Sequence, residues 1–214
     1  DWHSWMWKRH SGFDVGIYDG DGVNGRHIFH SMNTVPEFMI VKRLSATEDW
    51  TVYHTGLTSV NYLLSLNSSG AEVDLGSTPE KVWKSVPTSS TFEIGSHDRV
   101  NTANQTYLFL LFSSITGISK TGTYTGNGNS SGPTVTLGFA PRLIIVKEID
   151  GSGAWIINDS YRGIGSGSGL LELNNAAAQA GGTLFSADST SFTVVSTFAE
   201  VNESGKKYLY YCHA

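Results

Sequence analysis

The sequence predicts an all-β protein made of two tandem β-sandwich modules, jelly-roll-like or concanavalin-like, related by an internal repeat. Short runs rich in β-branched and aromatic residues are separated by turns of Gly, Asn and Ser, as in sandwich folds. One such run, residues 34–43, recurs as residues 139–148. Each copy is almost continuously apolar between a Pro and a Lys, which predicts a strand buried on both faces.

The spacing of this repeat is too long for a solenoid unit and indicates two copies of a whole domain. Three pairs of identical residues keep a spacing of 105 positions: Pro36 with Pro141, Lys42 with Lys147, and Trp50 with Trp155. Further pairs of predicted strands follow in chain order: 50–54 with 155–159, 62–67 with 170–174, 91–94 with 191–194, and 107–112 with 208–213. Residues 175–180 could form one helical turn before Gly181 and Gly182 stop it.

The repeat divides the chain into four segments. Residues 1–14 form an N-terminal aromatic strand at the end of a longer chain, and residues 15–114 form the first module. Residues 115–120 form a joint that docks through Ile115 and Ile118, and residues 121–214 form the second module. A docked joint would hold the modules at a fixed angle.

Composition excludes several classes of protein. The net charge of −5 gives no general attraction to nucleic acid or to anionic membranes. No apolar run approaches the roughly 20 residues that span a bilayer, so we expect no membrane insertion. The single cysteine, Cys212, rules out an intrachain disulfide framework. Stability must therefore come from apolar cores or from association with other chains.

A weak metal candidate occurs near the start of the chain. Asp19, Asp21 and Asn24 are spaced like the first ligands of a calcium loop. The corresponding residues 124–128 of the second copy contain no carboxylate, so a shared turn explains both copies and a metal explains only one. His27 and His30 would point to opposite faces of a strand. We therefore predict no metal and no cofactor.

Several stretches resemble a domain of unknown function that recurs in the C-terminal parts of large structural proteins of tailed bacteriophages. They are residues 7–9, 12–15, 18–22, 35–43, 50–54, 62–64, 87–92, and the joint 112–120 with 122–128. The family usually has a second aromatic residue near Phe13, where this chain has Asp14. The resemblance implies a non-enzymatic virion structural protein, a tail fibre or tail-associated appendage involved in host-surface attachment. It also implies assembly in the host cytoplasm and a final location in the virion.

Two alternative functions remain open at this point. One is a purely architectural part, a capsid decoration or tail spacer protein, and the other is a carbohydrate-binding module that uses loop side chains. An enzyme is not expected, because Asp49 with His54, and Glu72 with Asp74, are adjacent only in sequence. Expected partners are further copies of the chain, most simply in a trimer, other virion proteins, and a host cell-surface glycan.

Two loops are the candidate partner contacts. The first module has about seven more residues than the second before the strand at 91–94, and insertions on a fixed scaffold map to surface loops. This segment contains Lys81, Trp83 and Lys84, although Trp83 also fits a core position equivalent to Phe185. The variable loop of the second module contains Tyr161 and Arg162, residue types favoured at recognition sites.

Overall fold

The computed structural model describes residues 6–76, 81–167 and 169–214, and it confirms the all-β fold class. Sixteen strands and two helices of four residues form the regular structure of these residues. In chain order the strands are β1 (Phe13–Asp19), β2 (Arg26–Phe29), β3 (Phe38–Arg43), β4 (Thr51–His54), β5 (Tyr62–Ser65), β6 (Val73–Asp74), β7 (Thr91–Ile94), β8 (Thr106–Phe112), β9 (Ser119–Thr125), β10 (Thr134–Thr136), β11 (Leu143–Glu148), β12 (Ile156–Asp159), β13 (Leu171–Glu172), β14 (Phe185–Ala187), β15 (Ser191–Val194) and β16 (Lys207–His213).

Two large antiparallel sheets form the middle of the molecule. The first has the strand order β1-β8-β3-β4-β5-β6 and belongs to the N-terminal half, residues 6–114. The second has the order β9-β16-β11-β12-β13 and belongs to the C-terminal half, residues 115–214. The first five strands of one sheet therefore follow the same order as those of the other. That the two halves are copies of one module stays a prediction.

A small sheet covers the outer face of each large sheet. It consists of β2 and β7 in the N-terminal half and of β10-β15-β14 in the C-terminal half. In the N-terminal half, Trp83 forms a single bridge to Ile94, whereas in the C-terminal half Phe185 of β14 pairs with Val194. Trp83 and Phe185 thus occupy comparable places beside the last residue of β7 and β15.

The four sheets stack as four layers with three apolar cores between them. One core lies between the sheets of the N-terminal half and another between those of the C-terminal half. The third, which we call the middle core, lies between the two large sheets. Its buried members come equally from both halves: Phe13, Phe38, Ile40, Val52, Leu57, Leu64 and Phe112 from the first, and Leu143, Ile145, Ile149, Trp155, Ile157, Leu209 and Tyr211 from the second.

This stacking explains the apolar runs of β3 and β11. Successive side chains of a strand point to opposite faces, and here both faces are covered by another layer. In β3, Met39 and Val41 enter the core of the N-terminal half, while Phe38 and Ile40 enter the middle core. A half-exposed strand would instead show alternation of apolar and polar residues.

Two short helices, α1 (Asp98–Asn101) and α2 (Ala199–Asn202), were not expected from the sequence. Each is held by a tyrosine from the strand that follows it. The hydroxyl of Tyr107 accepts from the Thr102 amide at 2.8 Å and donates to the Asp98 carbonyl at 2.7 Å. Tyr208 makes the same pair of bonds to α2. The helical turn suggested for residues 175–180 does not form.

The N-terminal aromatic segment is only partly described, since Trp2 and Trp5 lie outside the described residues. Trp7 packs against Phe13 and Phe112, with ring centroids 5.9 and 5.8 Å apart, at the margin of the middle core. Residues 6–9 have no regular structure, and β1 begins at Phe13, which is earlier than the predicted start of the first module. In the joint, Ile115 bridges Ser119, and Ile118 is 39% exposed.

Candidate functional site

The loop that carries Lys81, Trp83 and Lys84 contributes two partly exposed lysines and one buried ring. Trp83 is 2% exposed and belongs to the core of the N-terminal half, the alternative position that the sequence offered for it. The Nζ of Lys81 donates to the Asn61 side chain at 3.3 Å. Pro79, in the same segment, lies outside the described residues.

The second predicted contact loop separates its two candidate residues. Tyr161 is 74% exposed, which suits a contact residue. The Arg162 side chain is only 11% exposed and forms an ion pair with the nearly buried Asp159, and its Nε donates to Gln179 at 3.2 Å. A guanidinium held in this way positions the loop and is poorly placed to bind a partner.

The acidic turn at Asp19 and Asp21 is built from hydrogen bonds within the protein. The Asp21 carboxylate accepts from the Val23 amide at 2.8 Å and from the buried Asn101 amide group at 3.1 Å. The Asp19 carboxylate accepts from Thr106 at 2.7 Å. Among the described residues, no group of three or more His, Cys, Asp or Glu side chains is arranged to hold a metal ion.

The extra residues of the first half form a clasp onto the second half. The Glu72 amide donates to the Ile149 carbonyl at 2.8 Å, and the Gly153 amide donates to the Ser69 carbonyl at 2.9 Å. The Glu72 carboxylate caps Thr58 in its own half. This part of the inserted segment therefore contacts the other half of the same chain.

Polar contacts also cross the middle core. The indole Nε1 of Trp155 donates to the Ser65 carbonyl at 3.0 Å, and the Nζ of Lys207 donates to the Gly56 carbonyl at 2.5 Å. His54 Nε2 lies 2.6 Å from the hydroxyl of Thr121. Burial lowers the pKa of His54 to about 3, with a smaller contribution from the charge of Lys207. The imidazole is therefore neutral, and it serves the joint between the halves.

A cavity of about 210 Å³ opens beside the clasp, in the N-terminal half. Its polar wall is the ion pair between Asp49 and Arg99, with N and O 2.9 Å apart. The Ser65 hydroxyl donates to Asp49 at 3.1 Å and accepts from Arg99 at 3.0 Å. Hydrogen bonds, first among them the one from the Asn67 amide group, lower the pKa of Asp49 and keep it ionised.

The C-terminal half has different chemistry at the equivalent places. Ala154, Glu172 and Glu200 stand where the N-terminal half has Asp49, Ser65 and Arg99, since each holds the same position before β12, within β13 or within α2. Burial raises the pKa of Glu200, and the charge of Glu172 adds to this effect. The group formed by Asp49, Ser65 and Arg99 is therefore not repeated at the equivalent positions of the C-terminal half, although the surrounding strands follow the same order.

A buried lysine lies close to that acidic pair. Lys147 of β11 is fully buried, and its Nζ donates to the Glu148 carbonyl at 2.5 Å. Burial lowers its pKa to about 8, although the charges of Glu148, Glu200 and Asp150 oppose the shift. Lys42, its counterpart in β3, is partly exposed and bonds the Arg43 and Ala46 carbonyls. Each lysine is the second-last residue of its strand. Its ammonium group donates hydrogen bonds to carbonyl groups near the end of that strand.

The sequence offers Asp49 only beside His54, in a catalytic set that is not expected, and it carries no motif that singles out Ser65 or Arg99. The three residues lie far apart in sequence, on the approach to β4, on β5 and on α1. A comparison of the two halves position by position could have revealed them, because they differ where the scaffold is otherwise shared. Both described helices have four residues, and none is long and apolar enough to cross a membrane.

Comparisons with known proteins give one family and one weak structural similarity. No curated protein matches this chain. The chain is weakly similar to a solved structure described as "Crystal Structure of the STIV MCP", with 9% sequence identity, a TM-score of 0.25, and coverage of 94% of this chain and 95% of that one. A TM-score this low does not establish a shared fold. The family model described as "Domain of unknown function (DUF7483)" matches residues 6–214, and the chain belongs to that family.

Proposed function

We propose that this chain is a non-enzymatic structural protein of a virion, part of a tail fibre or another tail-associated appendage, and that it takes part in attachment to the host surface. In this proposal it assembles in the host cytoplasm and acts in the released particle. The resemblance of its motifs to tail-protein modules of bacteriophages supports this role. The structural observation that carries the proposal is the middle core.

In this proposal the middle core holds the two halves together as one rigid unit. Seven buried side chains from each half pack there, including the fully buried Trp155. Relative motion is the usual expectation for linked sandwiches unless their interface is large and apolar, and this interface is apolar. The clasp at Glu72 and the bond between Trp155 and Ser65 add directed hydrogen bonds. An appendage that connects a particle to a cell surface benefits from such stiffness.

The test is to locate the protein on the particle. Antibodies raised against the purified chain, coupled to gold, would be applied to virions of the virus that encodes it and imaged by electron microscopy. Label on the tail fibres or at the tip of the tail supports the proposal. Label spread over the capsid would replace it with a decoration role, and label confined to a tail segment away from the tip would favour a spacer. Antibody preabsorbed with the chain is the control.

We also propose that this protein is a homo-oligomer, most simply a trimer. Exposed apolar side chains on the N-terminal half, among them Ile17 and Phe29, offer surface for contacts between copies. Light scattering coupled to size exclusion measures the mass of the native protein. A monomer at the concentrations found in assembling cells would contradict this part of the proposal.

A further inference from the structure

The cavity beside Asp49 and Arg99 has the composition of a sugar site. We propose that it binds a neutral pyranose ring through two adjacent hydroxyl groups, one donating to Asp49 and one accepting from Arg99. This inference deepens the attachment role and rests on it for the biological source of the sugar, a host-surface glycan. The binding itself is a property of this chain alone.

Hydrogen-bonding capacity remains on both charged groups. An ionised carboxylate has about four acceptor positions. Asp49 uses Oδ1 for Asn67 at 2.8 Å, and uses Oδ2 for Ser65 and Arg99. Arg99 donates from one terminal nitrogen to Ser65 and Asp49, and its Nε and other terminal nitrogen have no hydrogen-bond partner among the described residues. One acceptor position and several donors therefore remain for a ligand.

A pair of neighbouring hydroxyl groups matches the hydrogen-bonding positions that remain on Asp49 and Arg99. Each hydroxyl donates one hydrogen bond and accepts up to two. One can donate to the free position on Asp49 while the other accepts from the fork of Arg99. Asn67 and Ser65 fix the carboxylate before the ligand arrives, so little side-chain entropy is lost on binding.

The charge balance of the wall selects against ions. The carboxylate of Asp49 and the guanidinium of Arg99 cancel at contact distance, 2.9 Å. An anion attracted by Arg99 would be repelled by Asp49. A cation attracted by Asp49 would be repelled by Arg99. A neutral polyol gains hydrogen bonds to charged groups without that opposition, and such bonds are the stronger kind.

The remaining wall fits the C–H face of a sugar ring. It includes Leu63, Val73 and Leu75, and the small residues Gly70 and Ala71 leave room at the rim. A cavity of 210 Å³ is many times the roughly 10–15 Å³ that one water needs, so it has room for a molecule larger than an ion or a single water. Apolar lining with a few converging polar groups is the usual composition of ligand pockets.

The equivalent place in the C-terminal half could not bind in this way. Glu172 and Glu200 present two carboxylates there and Ala154 presents none, so the paired donor and acceptor are missing. The site should therefore be single in each chain, and the C-terminal half supplies a matched control.

The experiment is a titration of the ¹⁵N-labelled chain with three probes: methyl α-D-mannopyranoside, methyl α-D-glucopyranoside and methyl β-D-galactopyranoside. We expect saturable shifts of the Gly70 and Ala71 amides with at least one probe, with a Kd on the order of millimolar, as suits one ring and a few hydrogen bonds. Absence of saturable shifts with all three, or shifts located away from the cavity, would overturn the proposal.

Two variants and a control complete the test. Asp49→Asn removes the charge of the acceptor, and Arg99→Lys keeps a positive charge but removes the planar fork of donors. Each should weaken binding about tenfold or more, whereas Glu172→Gln, at the position equivalent to Ser65, should leave the Kd unchanged. Binding that is equal in all three variants would refute the site. Two separate substitutions are used so that one that fails to fold leaves the other informative.

The outcome is separable from that of the proposed function. If the glycosides do not bind but gold label lies on the tail, the sugar site is refuted and the structural role stands. If the glycosides bind but particles carry no label, the site stands and the virion role is refuted.

Discussion

The ring nitrogen Nε2 of His54 lies 2.6 Å from the hydroxyl oxygen of Thr121, and this contact joins the two halves of the chain in a buried position. The other ring nitrogen, Nδ1, accepts a hydrogen bond from the Gly56 amide at 2.8 Å. Because Nδ1 is an acceptor, Nε2 carries the proton and donates it to Thr121. Protonation of Nδ1 would break the first bond and place a charge in the joint.

The first prediction is therefore a loss of stability in acid. The unfolded chain takes up a proton on His54 below pH 6.5, whereas the folded chain does so only near its lowered pKa of about 3. Between these two pH values the unfolded state binds more protons than the folded state does. The free energy of unfolding therefore decreases by about 1.4 kcal/mol for each unit by which the pH is lowered. Urea denaturation at pH 7 and at pH 5 should show a loss of about 2 kcal/mol from this residue.

Other groups titrate in the same range, so the control matters. His30 and His213 also have lowered pKa values, mainly through burial, and add to the loss. Burial raises the pKa of Glu148 and Glu200, which gives a contribution of opposite sign. Between pH 7 and pH 5, the variant His54→Gln should lose about 2 kcal/mol less of its free energy of unfolding than the wild type loses. An unchanged pH dependence in that variant would contradict the prediction, and the exposed His27→Gln should behave as the wild type.

The second prediction concerns the tryptophan of the middle core. Trp155→Phe removes the hydrogen bond to the Ser65 carbonyl, which keeps its bond from the Ser68 amide, and puts a smaller ring in the place of the fully buried indole. The lost hydrogen bond and the lost packing together should cost about 1–3 kcal/mol in the free energy of unfolding. Trp50 holds the equivalent place in the N-terminal half but is partly exposed. Trp50→Phe should cost less than about 1 kcal/mol. Equal losses in urea denaturation of the two variants would argue against a special role for Trp155.

Much of the fold could be predicted because a strand that is buried on both faces consists mainly of apolar residues. The first four residues of β3 and of β11 are all apolar. The repeated spacing also predicted strands at the places of β4, β5, β7 and β8, and at those of β12, β13, β15 and β16. The helices α1 and α2 could not be predicted, since four residues carry almost no propensity signal and their ends are satisfied by distant tyrosines, Tyr107 and Tyr208.

The candidate site was harder to predict, because surface position is a property of the whole fold. Trp83 lies in the inserted segment, yet its ring enters the core. Arg162 lies in a glycine-rich loop, yet Asp159 at the end of β12 draws it inward. The wall of the cavity brings together Asp49 and Arg99, which are fifty positions apart and form no local motif. Only the packing of α1 against the sheet makes them neighbours.

The third prediction is that calcium does not stabilise this protein. In the acidic turn, the Asp21 carboxylate accepts from the Val23 amide at 2.8 Å, and Asn127 accepts from the Asn129 amide at 2.9 Å in the other half. An asparagine therefore suffices for the turn. The double variant Asp19→Asn with Asp21→Asn should keep its melting temperature within a few degrees, because an exposed ion pair such as the one from Arg26 contributes about 0–1 kcal/mol.

Thermal melting with added calcium and with chelator is the measurement for that turn. The melting temperature of the wild type should be the same with added calcium as with chelator, and so should that of the double variant. A calcium-dependent rise in the wild type that disappears in the double variant would identify a metal site. Asp21→Ala is the reference for loss of the turn, since alanine cannot accept from Val23 and should cost about 1 kcal/mol.

The last prediction is that the chain does not fold without its final strand. β16 lies between β11 and β9 in the second large sheet, so its removal separates β9 from the other strands. Its side chains alternate between two cores: Tyr208, Tyr210 and Cys212 face the small sheet, and Leu209 and Tyr211 face the middle core. Deletion of residues 207–214 therefore opens both cores at once and exposes backbone groups on two neighbouring strands, which favours aggregation. We expect the truncated chain in the insoluble fraction, whereas deletion of Ala214 alone, which removes one backbone hydrogen bond to Ile118, should leave a soluble protein. A soluble truncated chain with the melting temperature of the wild type would show that the middle core is held by the other strands, and the rigid unit on which the proposed function depends would then lack its basis.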